Sequence, residues 1–284
     1  MISFSNTSAD LFIPDGSEDI QAFNRTTHMG IGAHQDDLEV MALHGILTCY
    51  QSDAEWFGGV TVTNGAGSSR ANQYSNYTDE QMCAVRAEEQ RKASVVGEYS
   101  FMAQLDYPSS AVKETGNNDY ANDLKTIFSK AKPRVVYTHN LADKHDTHVA
   151  VVIPVIQALR EMPIQERPDE VYGVEVWRDL NWLIDDEKIL LNLNDRPNLV
   201  RALISIFDSQ ITGGKRYDLA LEGRLRGNAT FFDSHAVDQA KMASYAMNLK
   251  PLVDDPKLDI ADFVDAFVKR FRADVRSRIE NFTA

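Results

Sequence analysis

Apolar positions along this chain follow two rhythms, and the rhythms alternate. Short apolar runs stand at 27–33, 57–63, 98–105, 134–138 and 171–176, with Val135-Val136-Tyr137 the clearest. Each predicts a strand of a parallel sheet, because strands covered on both faces read as continuous apolar runs. Longer stretches lie between them, with apolar residues every three or four positions. Leu38, Met41, Ala42, Ile46 and Cys49 predict a helix over 38–49. Thr78 or Asp79 caps a second helix that stops at Gly97. Further helices are predicted over 119–131, ending before Pro133, over 148–159 and over 197–210. Ile260, Phe263, Val264, Phe267, Phe271 and Val275 form the most amphipathic helix, expected to pack on the domain or on a twin subunit. Regular alternation of strand and helix predicts an α/β fold with helices on both faces of a mostly parallel sheet. One domain is expected over 1–284, with a mixed polar arm over 1–26 and a C-terminal helical extension over about 250–284.

Two of the predicted strand-to-helix turns carry ionisable residues. The first is Gly30-Ile31-Gly32-Ala33-His34-Gln35-Asp36-Asp37-Leu38-Glu39. His34 and Asp37 are three apart, which puts both side chains on one side of a helical first turn. Imidazole nitrogen and carboxylate oxygen are both good zinc ligands. Asp36 lies between them and points elsewhere, toward a bound water. The second turn, Asp143-Lys144-His145-Asp146-Thr147-His148, follows the strand at 134–138. Its two histidines can serve one site, one as ligand and one as acid. In open α/β sheets ligands bind at the carboxyl ends of strands. A parallel sheet can bring two such distant turns together. The pattern is that of a metal site with a spare base beside it. The glycine-rich loop 64–69 and the polar stretch 70–77 stand at another strand end, as a lid, a sugar-contacting wall or plain solvated loop.

Ala33-His34-Gln35-Asp36-Asp37-Leu38-Glu39 and Asp143-x-His145-x-x-His148 resemble the two signatures of the PIG-L/LmbE-like family of zinc-dependent N-acetylglucosaminyl deacetylases. Similar segments follow in order: Thr61-Val62-Thr63-Asn64-Gly65, Arg86-x-x-Glu89, Leu105-Asp106-Tyr107-Pro108, and Ser209-Gln210 with Tyr217. The resemblance covers about 27–226. It implies a Rossmann-like three-layer α/β/α sandwich. It implies metal ligands at His34, Asp37 and His148, a general base at Asp36, and an acid at His145, protonated and stabilising the oxyanion. Asp143 or Asp146 is expected to hold the His145 ring, and Arg86 is a candidate for the pocket floor. The implied cofactor is Zn2+, although a His/Asp/His set also accepts Fe2+, Co2+ or Mn2+. The implied partner is a small N-acetylated sugar conjugate, cut at its acetamide. The chain departs from the family pattern at Gln35, at Met41, Leu43 and His44, at Ser109, and at Thr147, where the acid sits one place earlier at Asp146.

Composition narrows the alternatives. A net charge of −13 disfavours nucleic acid. Two cysteines, Cys49 and Cys83, do not make a disulfide framework and suit a reducing compartment. The first residues lack a basic start and an apolar core, and no apolar run nears the roughly 20 residues that span a bilayer. A cytoplasmic protein without a membrane partner is the expectation, and a homo-oligomer is left open. Two other functions stay in view: hydrolysis of another amide or ester, and sugar binding without catalysis. A dinucleotide binder would carry G-x-G-x-x-G at the first turn, where this chain has a histidine and acids.

Overall fold

The computed structural model of the chain describes residues 2–114, 116 and 119–283. Residues 1 and 284, the outermost of the arm and of the extension, lie outside them. The described residues form one eight-stranded sheet: β1 Asp10–Phe12, β2 His28–Gly32, β3 Phe57–Thr63, β4 Phe101–Tyr107, β5 Val135–His139, β6 Glu170–Val174, β7 Ile189–Asn192 and β8 Ala243–Asn248. The spatial order is β1-β4-β3-β2-β5-β6-β8-β7. The five strands from β4 to β6 run parallel. β1 at one edge, and β8 with β7 at the other, join by antiparallel pairing.

Two apolar clusters sandwich this sheet and make three layers. One holds Ile31, Val60, Phe101 and Leu105 with Leu124, Phe128, Val151 and Ile156. The other holds Met102, Tyr137 and Val174 with Leu38, Ile46, Leu203 and Leu225. In β4 the side chains alternate between them, as the period of a strand requires. β2 is buried at every position, which its apolar run foretold. Gly30 lets the following helix close onto it: a Cβ there would lie 2.9 Å from Leu38 Cδ2 and 2.8 Å from Phe57 Cζ.

Several boundaries differ from the sequence expectation. The predicted helix 38–49 is two pieces, Leu38–Met41 and Leu43–Cys49, broken at Ala42 with φ −103° and ψ 13°. Helix Asp79–Val96 opens with a Thr78–Gln81 capping box and ends at Gly97. The helix predicted at 148–159 spans Asp146–Glu161, so His145 is its N-cap residue. The predicted 197–210 helix stops at Ser205, and Asp208–Gln210 forms a separate short turn. The cause is a competing partner, because buried Glu89 takes both the backbone N–H and the hydroxyl of Ser209. The N-terminal arm pairs with the sheet edge through β1. No helix among the described residues is long and apolar enough to cross a membrane.

Candidate metal centre and active site

From β2 the chain runs on in sequence through β3 to β4 on one side, whereas β5 and β6 lie on the other. Strand order reverses between β2 and β5, and the crevice at such a switch point is where doubly wound sheets bind ligands. His34 follows β2 there, and the 143–148 turn follows β5. The structure thus joins the two distant motifs. Ligand atoms of His34, Asp37 and His148 all lie within 4.8 Å of one another. Asp37 Oδ2 accepts the backbone N–H of His34 at 2.7 Å and lies 3.3 Å from its Nδ1. Asp37 Oδ1 stands 3.4 Å from His148 Nε2. Burial would raise the Asp37 pKa, but the His148 and His139 imidazoles outweigh it and hold the carboxyl well below its ordinary range.

These residues fit a divalent cation. Nε2 of the buried His148 has no hydrogen-bond partner, a cost that a ligand to it would relieve. Nδ1 of the same ring is held by Asp143 Oδ2 at 3.0 Å, the carboxylate–imidazole arrangement that fixes a metal-binding histidine. Asp143 is itself anchored by the backbone N–H groups of Trp177 and Arg178 at 3.2 and 3.1 Å. This corrects the expectation that Asp143 or Asp146 orients His145. Asp143 orients His148, Asp146 is exposed at the head of the helix, and His145 Nδ1 is buried without a partner. Burial and nearby His34 push the His145 pKa below its ordinary value, a pull against the protonated ring expected from the sequence.

Asp36 adopts a φ of 85°, the left-handed region, which costs a non-glycine residue about 1–3 kcal/mol. Its surroundings enforce it. Gln90 Oε1 accepts the Asp36 N–H at 3.1 Å, and Arg86 Nη2 pairs with Asp36 Oδ2 at 3.0 Å while also donating to the Gln35 carbonyl. Burial pushes the Asp36 pKa well up, with Arg86 pulling against it and Asp37, Glu39 and Glu89 pushing the same way as burial. Arg86 is therefore buried and faces Asp36 rather than making a surface pair with Glu89. Gly65, at φ 73°, leaves room for Arg86 and Gln35, since a Cβ would fall 2.9 and 2.6 Å from their atoms.

His34, Asp36, Asp37, Arg86 and His145 line a cleft of about 860 Å3. Three further residues shape this site without a role assigned to them from the sequence. His139 is buried at the end of β5, accepts the Ala33 N–H at 2.9 Å and stacks on His148 at 3.7 Å. Trp177 and Tyr217 make the cleft wall, with ring centroids 6.1 Å apart. In the sequence Tyr217 stands only in a late motif, and no local spacing singles out Trp177.

Residues 29–159 match the model of the PIG-L family, described as GlcNAc-PI de-N-acetylase. The sequence has no match among the curated proteins. Among solved structures, N,N'-diacetylchitobiose deacetylase from Pyrococcus horikoshii is 13% identical, covers 88% of this chain and 93% of its own, and has a TM-score of 0.63. The 4-carboxy-2-hydroxymuconate hydratase from Pseudomonas putida KT2440 is 15% identical over 79% of this chain and 96% of its own, with a TM-score of 0.57. The zinc-inhibited form of a teicoplanin deacetylase is 14% identical over 78% and 97%, at a TM-score of 0.55. At these identities the structural likeness is one of fold, the three-layer α/β/α sandwich. The span that matches the PIG-L family, residues 29–159, holds both signature turns, 33–39 and 143–148, in register.

Proposed function

We propose that this protein is a divalent-metal-dependent N-deacetylase of N-acetylglucosamine-type conjugates. The observation that carries the reading is the convergence of His34, Asp37 and His148 within 4.8 Å at the switch point, with Asp36 and His145 lining the same cleft. The family match and the deacetylases among the similar structures support it. His34, Asp37 and His148 would hold the ion, and a carboxylate with two imidazoles suits zinc and also iron, cobalt or manganese. When bound, such an ion lowers the pKa of a water and polarises a carbonyl.

The chain's own groups do the rest. Asp36 accepts the proton of the attacking water at the acetamide carbon; its raised pKa makes it a better base near neutral pH than an ordinary aspartate. Arg86 keeps that carboxylate aimed into the cleft. His145 donates a ring N–H toward the developing oxyanion, and the proton taken up by Asp36 passes on to the departing amine with His145 as relay, so acetate and a free amine leave. Trp177 and Tyr217, set edge to face, give the sugar an apolar wall.

The test is acetate release from N-acetylglucosamine conjugates by protein loaded with one metal at a time. Asp36→Asn is expected to lower kcat by about 10²–10⁴-fold, the usual worth of a general base, while metal content stays the same. Undiminished turnover in that variant would remove Asp36 from the chemistry. Absence of acetate release with every metal would refute the deacetylase reading.

A further inference from the structure

The chain carries 42 acidic residues and 29 basic ones, yet the cleft mouth inverts that balance. Lys113, Lys144, Lys215 and Arg224 line it, whereas its only lining carboxylates among the described residues are the buried Asp36 and Asp37. Asp36 is matched by Arg86 at 3.0 Å, and Asp37 sits at the proposed metal position, 3.4 Å from a nitrogen of His139 and one of His148. The four cations at the mouth are surplus. Elsewhere Lys125, Lys132, Lys188, Lys250 and Lys269 each pair with a carboxylate. Lys113, Lys144 and Lys215 are exposed and make no ion pair among the described residues.

The cations are also placed. Lys144, in the turn after β5, and Lys215, at the end of the helical segment Ile211–Lys215, put their ammonium groups 5.9 and 5.0 Å from the centre of the Trp177 ring. A ring face attracts cations and keeps them from wandering into solvent. Arg224 donates from Nη1 to the carbonyl of Val176, which fixes its guanidinium beside Trp177. The Trp177 ring lies 6.1 Å from that of His145, so this cluster is next to the reaction centre. Unpaired cations gathered on one wall of a cleft raise the local concentration of anions, and all the more in a molecule that is negative overall.

We infer that the substrate is an anion: the sugar conjugate carries a carboxylate or phosphate group, apart from the acetamide that is cut, and Lys144 and Lys215 bind it with Lys113 and Arg224 alongside. The inference rests on the deacetylase reading for the identity of the sugar, but not for the charge. The floor and the mouth then divide the work, since the carboxylates at the floor handle the acetamide and the cations at the mouth select what is attached to the sugar.

The test is a fluorescence and calorimetric titration of the metal-loaded full chain. The probes are N-acetylglucosamine, its 1-phosphate, its 6-phosphate, and N-acetylmuramic acid, which carries a carboxylate. At low ionic strength at least one anionic probe is expected to bind about ten-fold or more tightly than the neutral sugar. That preference should shrink at high salt, since exposed charges are screened. In Lys144→Glu/Lys215→Glu the ratio of anionic to neutral affinity should fall about ten-fold. The phosphate and carboxylate probes tell which acid is preferred. Equal affinity for the neutral sugar and all three anions would overturn the inference. So would a preference that survives in the double variant, which would place the anion on the metal instead. Acetate release is scored separately: preference without release refutes the deacetylase reading alone, and release without preference refutes the anionic substrate alone.

Discussion

Asp143 accepts four hydrogen bonds and so fixes more of the site than any ligand does. Its Oδ2 takes His148 Nδ1 and the Trp177 N–H, and its Oδ1 takes the N–H groups of Arg178 and His145. Asn would turn an NH2 toward donors at one of those positions. Asp143→Asn is therefore expected to weaken metal binding by about 10–100-fold, the usual cost of removing a carboxylate that orients a ligating histidine. Competition with a chelator measures it, and unchanged affinity would show that His148 is oriented by packing alone. Glu39 is a second buried acid, with a different consequence. Its Oε1 accepts from Tyr99 and Gln90 at 2.7 and 2.8 Å, while Oε2 has no partner. Burial outweighs those bonds and pushes its pKa from 4.5 to about 7. The folded protein thus keeps a proton that the unfolded chain gives up above pH 4.5. Stability is lost as pH rises from about 4.5 to about 7 and stays lost above that, to the extent of about 3 kcal/mol. Gln is an uncharged match for the protonated acid. Metal-free Glu39→Gln should gain on the parent protein between pH 5 and 8 in urea unfolding, and a difference independent of pH would sink the assignment.

At the level of elements, the sheet was readable because its centre is made of residues with one job. β2, β3 and β5 are continuous apolar runs, and their strands fall within two residues of the positions their composition indicates. The helices Asp79–Val96 and Asp119–Ala131 announce their ends through Thr78, Gly97 and Pro133. β1, β7 and β8 were missed, and two of them are only three and four residues long, too short for a period of two to show. The break at Ala42 was hidden because the apolar spacing continues across it. The interruption after Ser205 was hidden for another reason: its cause, Glu89, lies 120 residues away in sequence. The site divides in the same way. His34, Asp36, Asp37, His145 and His148 are local motifs on two turns, and only their meeting needed the fold. His139 and Trp177 act through stacking across elements, and the Asp143–His148 pairing was mistaken because spacing alone could not tell which of two neighbouring histidines a carboxylate would choose.

Across the whole molecule, stability is concentrated in the sheet and its two covering layers, and it runs out along the C-terminal helix Ile260–Thr283, in which no residue is fully buried. The first half of that helix is attached: Phe263, Val264 and Phe267 pack against the core cluster, Phe271 meets Trp182, and Arg270 pairs with Glu187. Beyond Arg272 the ion pairs are internal to the helix, Arg276 with Glu280 and Arg278 with Asp274. Pairs of that kind contribute about 0.2–0.5 kcal/mol each to a helix and nothing to its docking. Val275, Ile279 and Phe282 continue the apolar stripe into solvent, 39, 57 and 91% exposed. Removing residues 273–284 should therefore shift the Tm of the isolated chain by no more than about 2–4 °C, since less than about 1 kcal/mol of attachment is lost. Phe267→Ala, by contrast, removes a half-buried aromatic from the attached half and should cost about 1–2 kcal/mol, below the penalty of a fully buried ring. Calorimetry of the two variants beside the parent protein separates the cases. A large fall in Tm on truncation, together with a loss of mass in sedimentation, would mean that the stripe is covered by a second copy in solution and that the monomer's fold borrows stability from it.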